Sequence, residues 1–331
     1  MNRLGSLAEP LRVAPASMLG LLLVLGVAPI TSAQDKTRAY AGGRQSLELD
    51  GVAVPVKSVE GGGASAEVIL SPVGPDQTQT KRLGPVKYDD ITIQVSPAMP
   101  KSLADWVTSA WSRGYTRKSG AIVEADYNNK ELARLAFTNA VVAETTIPTL
   151  DAAAKNLGYV TITIVPEVVR EMKASGATAP VFKDAGKARE FIASNFRLEI
   201  AGLPGDKVTK IDAFTVKQKI TVNNVGQDRF LKREPGVTVY PDLVVTMSES
   251  GDDKWDAWFQ SYVIKGSRGA DQMKSGKLTL LSPDLKTVLA TINLYNVGIY
   301  SFQPVALESG TIRRMEAKLF VDRMEIIPGT P

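Results

Sequence analysis

The sequence contains no histidine and no cysteine. The first absence removes the side chain most used for proton transfer near neutral pH, and with it Ser-His-Asp triads and the commonest transition-metal ligand. The second removes thiol nucleophiles, thiolate zinc sites, disulfides and anchoring through a lipidated cysteine, so stability has to come from packing or assembly. Blocks of like charge are missing too. Lys and Arg number 39 against 35 Asp and Glu, a formal net charge of +4, and no nucleic-acid or anionic-lipid partner is expected from so even a balance. The longest apolar run, Met18 to Ile30, is interrupted by two glycines and a proline and falls short of the roughly 20 residues that span a bilayer.

That run sits in a three-part leader. Met1 to Ala33 has a weakly basic start (Arg3, Arg12), the apolar stretch, and the small-residue ending Thr31-Ser32-Ala33, which is the pattern of a cleaved secretory signal peptide. Cleavage leaves a short extension, residues 34–44, and no membrane span. Export to the periplasm or the extracellular space is the expectation.

The mature chain repeats itself in order. Ser46-Leu-Glu-Leu-Asp-Gly51 recurs as Arg197-Leu-Glu-Ile-Ala-Gly202, Val56 to Glu60 as Val208 to Asp212, and Gly84-x3-Tyr88-Asp-Asp-Ile91 as Gly236-x3-Tyr240-Pro-Asp-Leu243. Leu103-x-x-Trp106 recurs as Trp255-x-x-Trp258, Ser119-Gly-Ala-Ile122 as Ser275-Gly-Lys-Leu278, Asn139 as Asn296 and Pro148 as Pro304. A nearly constant offset held over a whole domain predicts a tandem duplication, with copy one at 45–172, a linker at 173–194 and copy two at 195–331. Each copy is long enough to bury a core of its own.

Both copies alternate apolar and polar residues with β-branched enrichment, as half-buried antiparallel strands do. Strands are predicted over Ser46–Leu49, Ile91–Val95, Ala121–Ala125, Val160–Val165, Val237–Val245 and Arg314–Val321. Turns are predicted at Gly61-Gly-Gly, Tyr127-Asn-Asn, Ser282-Pro-Asp and Glu308-Ser-Gly. One helix interrupts each copy: Leu103, Trp106, Val107 and Ala110, or Trp255, Trp258, Phe259 and Tyr262, fall at helical spacing behind Ser102 or Asp252 as N-caps. The helices are expected over Ser102 to Trp111 and Asp252 to Ile264, each laying one apolar stripe on a sheet. The fold class is mainly β with one helix per repeat.

The opening strand ending in Gly, the Gly84-x3-Tyr88-x-Asp90-Ile91 element, the Leu103-x-x-Trp106 helix, the Gly120 strand, the Asn139 to Pro148 stretch and the last long strand resemble, in that order, the tail tube proteins of contractile phages. The resemblance implies two tandem tail-tube-like antiparallel β-barrel or sandwich domains, self-association into six-domain rings that stack around a lumen, and no catalytic residues. Duplication and a leader depart from the single-domain pattern. They look closer to hub proteins, with a ring of three or six chains and other tube or hub components as partners. The segments Ser71 to Lys87 and Thr221 to Val239 are, by the same resemblance, hairpins or loops that reach a neighbouring subunit, the other reading being mobile surface loops.

No constellation of residues points to an enzyme. Ser-x-x-Lys, Gly-x-Ser-x-Gly and P-loop patterns do not occur. Gly61-Gly62-Gly63 reads as a hairpin turn rather than an anion cradle, and Asp126-Tyr-Asn128-Asn as a turn rather than a calcium loop, because Phe137 stands where the twelfth-position Glu belongs. No catalytic, cofactor or metal residue is assigned. The alternative is a secreted glycan-binding or glycan-acting protein that uses Asp89/Asp90 and Glu124/Asp126 as paired acids and Trp106, Trp111, Trp255 or Trp258 as a stacking platform. Exposed tryptophans would favour it, buried ones the structural protein.

Overall fold

A computed structural model describes residues 43–72, 79–176, 178–179, 190–223, 232–305 and 312–329. The leader, most of the 34–44 extension, the Glu308-Ser-Gly turn and much of the 173–194 linker lie outside these residues. In chain order the first half contains β1 (Arg44–Leu49), β2 (Val52–Val56), β3 (Ser58–Gly61), β4 (Ala64–Leu70), β5 (Lys81–Tyr88), β6 (Ile91–Val95), α1 (Lys101–Trp111), β7 (Lys118–Ala125), β8 (Glu131–Ile147), β9 (Leu150–Asp151), β10 (Val160–Val165) and β11 (Val168–Met172). The second contains β12 (Phe196–Ile200), β13 (Val208–Ile211), β14 (Phe214–Asn223), β15 (Lys232–Val239), β16 (Leu243–Ser248), α2 (Asp253–Phe259), β17 (Lys274–Leu281), β18 (Val288–Pro304) and β19 (Arg314–Pro328).

The strand order of the second half reproduces that of the first. One sheet runs β1-β7-β8-β10-β6-β3, with β2 outside β1, and the other β12-β17-β18-β19-β16-β13. All pairs are antiparallel, and the sheets include a half-barrel. Special backbone positions coincide as well. Asn139 in β8 and Asn296 in β18 take φ of 51° and 53°, the left-handed region that Asn tolerates better than branched residues, and each sits at a register shift between its strand and the preceding one. Gly120 and Gly276 explain the recurring Ser-Gly: a Cβ on either would come within 2.5 or 2.8 Å of the carbonyl oxygen of Glu48 or Glu199 on the neighbouring strand.

Most buried residues of both halves form one continuous core, from Leu47, Trp106 and Ile162 through Ile211 and Phe214 to Trp255 and Leu319, beside two small clusters around Val123 and Val141. Helix α1 buries Leu103, Trp106, Val107, Ala110 and Trp111 and lies between β8 of the first sheet and β19 of the second. Its start differs from expectation. Pro100 precedes the first turn, its carbonyl accepting the amides of Leu103 and Ala104 at 3.1 and 3.0 Å, and Ser102 makes no capping bond; a proline's fixed φ and missing N–H suit a helix start. Asp252 does stand at the start of α2, again without a side-chain cap, and that helix passes at Gln260–Ile264 into a π turn.

Two further expectations need correction. Gly61-Gly62-Gly63 is not a hairpin turn, because β3 pairs with β6 while β4 pairs with β5. It is the crossover between two sheets, with Gly61 and Gly62 at φ of 88° and 77°, values that glycine adopts without strain. The predicted strand Val237–Val245 is two strands, β15 and β16, broken at residues 240–242.

Candidate assembly interface

The segments left open as hairpins or loops are hairpins. β4 pairs with β5 and β14 with β15, with matching registers: Ser65 opposite Lys87 and Lys217 opposite Val239, Val68 opposite Leu83 and Ile220 opposite Pro235, Leu70 opposite Lys81 and Val222 opposite Arg233. A register shift falls at the same place in both, between Ala66 and Val68 and between Gln218 and Ile220.

The second hairpin joins the sheet of the first half. β14 lies along β8, with Phe214 opposite Ile147, Thr215 opposite Thr146, Val216 opposite Thr145 and Lys217 opposite Glu144. The backbone groups of an otherwise open edge are satisfied by this ladder. Side chains reinforce it. The Thr146 and Thr215 hydroxyls are 2.8 Å apart, and the Lys217 ammonium is 2.9 Å from the Glu144 carboxylate, a half-exposed pair worth little alone. Phe214 and Val216 are buried, and Ile220 packs on Val141, Ala143 and Val165.

The far side of the hairpin grips α1 and the strand ends. Thr238 donates its hydroxyl to the Ala110 carbonyl at 3.1 Å, and Tyr240 donates to the Trp111 carbonyl at 2.6 Å. Burial raises the Tyr240 phenol, which keeps it protonated as that donor. Arg233, with its side chain 9% exposed, forms an ion pair with Asp90 and donates to the Tyr88 carbonyl. Arg117 donates in turn to the Arg233 carbonyl and pairs with Glu167 at 2.7 Å. The halves also meet elsewhere: β9 lengthens the second sheet through Leu150 opposite Ile211, and α1 packs against β19, where the Thr108 hydroxyl donates to the Ile326 carbonyl at 3.1 Å.

The residues of the glycan alternative are placed otherwise. Trp106, Trp111, Trp255 and Trp258 are 1%, 2%, 1% and 6% exposed, so none offers a face to a ligand. Trp106 stacks on Phe137 at 6.5 Å and donates its indole N–H to the Thr116 carbonyl. Trp255 and Trp258 pack on each other and donate to the carbonyls of Pro204 and Gln272. Asp89/Asp90 precede β6 and Glu124/Asp126 end at β7, strands separated in the sheet by β8 and β10. Asp90 is engaged by Arg233, and Asp126 accepts the amides of Asn128 and Lys130, both at 2.8 Å, as the turn that sequence predicts. No group of three potential metal-ligating side chains occurs among the described residues, and among them no helix is long and apolar enough to cross a membrane.

Residues 45–170 match the family of the T4-like virus tail tube protein gp19. This part of the chain is therefore tail-tube-like, as the order of motifs predicts. No curated protein matches the chain. Among solved structures, a protein of an extracellular contractile injection system sheath–tube complex is 20% identical, covers 42% of this chain and 95% of its own, and has a TM-score of 0.38. A chain of the anti-feeding prophage baseplate is 12% identical, covering 40% and 92% with a TM-score of 0.33. Hcp1 of Flavobacterium johnsoniae is 19% identical, covering 40% and 96% with a TM-score of 0.27.

Proposed function

We propose that this chain is an exported structural protein, not an enzyme, whose two tail-tube-like domains, 45–172 and 195–331, close with those of two further chains into a pseudo-sixfold ring. The observation that carries the reading is the junction inside the chain, where a hairpin from the second half completes the sheet of the first. Such a contact is head to tail: donor and acceptor are different surfaces. A contact of that kind, repeated, makes a ring if the rotation closes and a filament if it does not. The strand order common to both halves supports placing six equivalent positions around three chains, with the sheets toward a lumen and the helices outside. The leader at 1–33 supports delivery of the ring to the periplasm or beyond, with other tube or hub components as its partners.

Light scattering on the mature protein tests the assembly. Three chains are expected. Six would indicate two stacked layers, and a monomer at high concentration would overturn the proposal. Mass spectrometry of the exported protein tests processing, with Gln34 expected as the first residue and an intact Met1 as the contrary result.

A further inference from the structure

The junction inside the chain uses one hairpin and one sheet edge, and the chain carries a second set of both. The second hairpin, β4–β5, forms a two-stranded sheet on its own. Its apolar side chains Val68, Ile69, Leu70 and Leu83 are 53%, 49%, 52% and 74% exposed. The second edge is the C-terminal part of β18. In the first half, β8 shifts register against β10 so that Glu144 lies opposite Thr163 and Val142 opposite Ile164. In the second, β18 shifts against β19 so that Ser301 lies opposite Lys318 and Ile299 opposite Leu319. Glu144, Thr145 and Thr146 thus correspond to Ser301, Phe302 and Gln303. On β8 this edge is covered by β14, leaving Thr145 and Ile147 at 1% and 0% exposure. On β18 no strand among the described residues lies along it: this stretch pairs only with β19, and Gln303 and Pro304 are exposed.

A charge matches as well. Arg233 stands opposite Val222 near the far end of its hairpin and reaches Asp90. Lys81 holds the same position in β5, opposite Leu70, and Asp242 the same position as Asp90. Lys81 makes no ion pair among the described residues, and Asp242 is exposed, accepting the Tyr300 hydroxyl at 2.9 Å.

We propose that the β4–β5 hairpin of one chain adds to the β18 edge of a second copy of this chain, with Gly63 opposite Gln303, Ala64 opposite Phe302, Ser65 opposite Ser301, and Lys81 paired with Asp242. This rests on the ring reading above and names its chain-to-chain contact. The glycine crossover Gly61-Gly62-Gly63 lets the hairpin leave its own sheet, and the added strand shields the backbone of two edges at once. One link is absent: the position of Arg117, which holds the Arg233 carbonyl, is Met273 in the second half. The contact between chains is accordingly looser than the one within the chain.

The absence of native cysteine gives a clean test. Full-length mature chains carrying Ser65→Cys are mixed with differently tagged chains carrying Ser301→Cys and oxidised, beside light scattering on the parent protein. A mixed disulfide between the two tags, absent when either variant is oxidised alone, is expected, because Lys217 and Glu144 at the corresponding positions touch. An assembly that forms without this cross-link overturns the hairpin contact and leaves the ring. A monomer without a cross-link overturns both. For the charge pair, Lys81→Glu or Asp242→Lys is expected to weaken association about tenfold with unchanged melting of the isolated chain, and the double exchange to restore it. A double variant no better than the singles overturns the ion pair.

Discussion

The two hairpins share a register and a register shift, yet β14–β15 has Phe214, Val216, Gln218, Arg233 and Thr238 buried, while β4–β5 has all but its inner residues in solvent. Composition follows use. Where β14 carries buried Val216 against β8, β4 carries the exposed Ala64, and where β15 carries Arg233 inside an ion pair, β5 carries an exposed Lys81. The difference teaches that the same local fold is permanent where the partner is tethered by the chain and lighter where the partner has to arrive by diffusion, since ordering costs at association are not met by tethering.

The largest expected effect that sharpens this contrast is in the core of the junction. Phe214→Ala should cost about 3–5 kcal/mol through lost burial and a cavity, whereas Leu83→Ala on the free hairpin should leave the isolated chain within about 0.5 kcal/mol of the parent. Denaturant unfolding of the dilute protein measures both, and equal costs would mean that the free hairpin is also packed within the chain. Next comes Arg233→Ala, expected to cost about 1.5–3 kcal/mol, the range for hydrogen bonds to charged groups. Lys81→Ala should not change the melting of the monomer and should only weaken assembly.

A pH effect separates the halves in the same way. Arg134 bridges Glu131 at 3.0 Å and Glu48 at 2.9 Å, and its hydrogen bond holds the Glu131 carboxyl below its ordinary value of 4.5 against the opposing effect of burial. Because the folded value is the depressed one, this stabilisation is complete above about pH 4.5 and is lost as pH falls through the folded value. In the second half Glu199 meets Lys277 at 2.8 Å with both side chains about half exposed, a pair expected to contribute little. Glu131→Gln should thus lower stability at pH 7 and flatten the acid limb of a stability profile. Glu199→Gln should alter neither, and an acid limb unchanged in Glu131→Gln would refute the assignment.

Much of the sheet is legible in the sequence because a strand with one buried face writes its period into the residues. Ile91–Val95 and Val160–Val165 are found with the predicted bounds, and Asn139 and Asn296 recur because the backbone there needs a left-handed residue. The partner of each edge is not legible. Alternation states which face is buried and nothing about which strand lies alongside, so the crossing of β14 onto β8 has no local signal. Arg233 was equally hidden, a lone arginine in a β pattern whose partner lies far away in sequence. Pairing Pro148 with Pro304 is off by one position: the register shifts of β8 and β18 place Ile147 at the level of Pro304.

The smallest effect asks whether the free hairpin can be given the chemistry of the docked one. Lys217 and Glu144 touch across the internal junction; Ser65 and Ser301 hold the corresponding positions. Ser65→Lys with Ser301→Glu writes the same cross-strand pair into the contact between chains. Opposite charges directly across antiparallel strands are worth about 0.2–1 kcal/mol, so each junction should tighten by less than about tenfold, and a ring closed by three junctions should gain at all of them together. Sedimentation at decreasing protein concentration should show the double variant staying assembled below the concentration at which the parent dissociates. Raising the salt should shrink the difference, because exposed pairs are screened. Ser65→Lys alone gains no partner carboxylate and should not reproduce the shift. If it does, or if the like-charged pair Ser65→Glu with Ser301→Glu assembles as well as the designed one, Ser65 and Ser301 do not face each other and the register proposed for the contact is wrong.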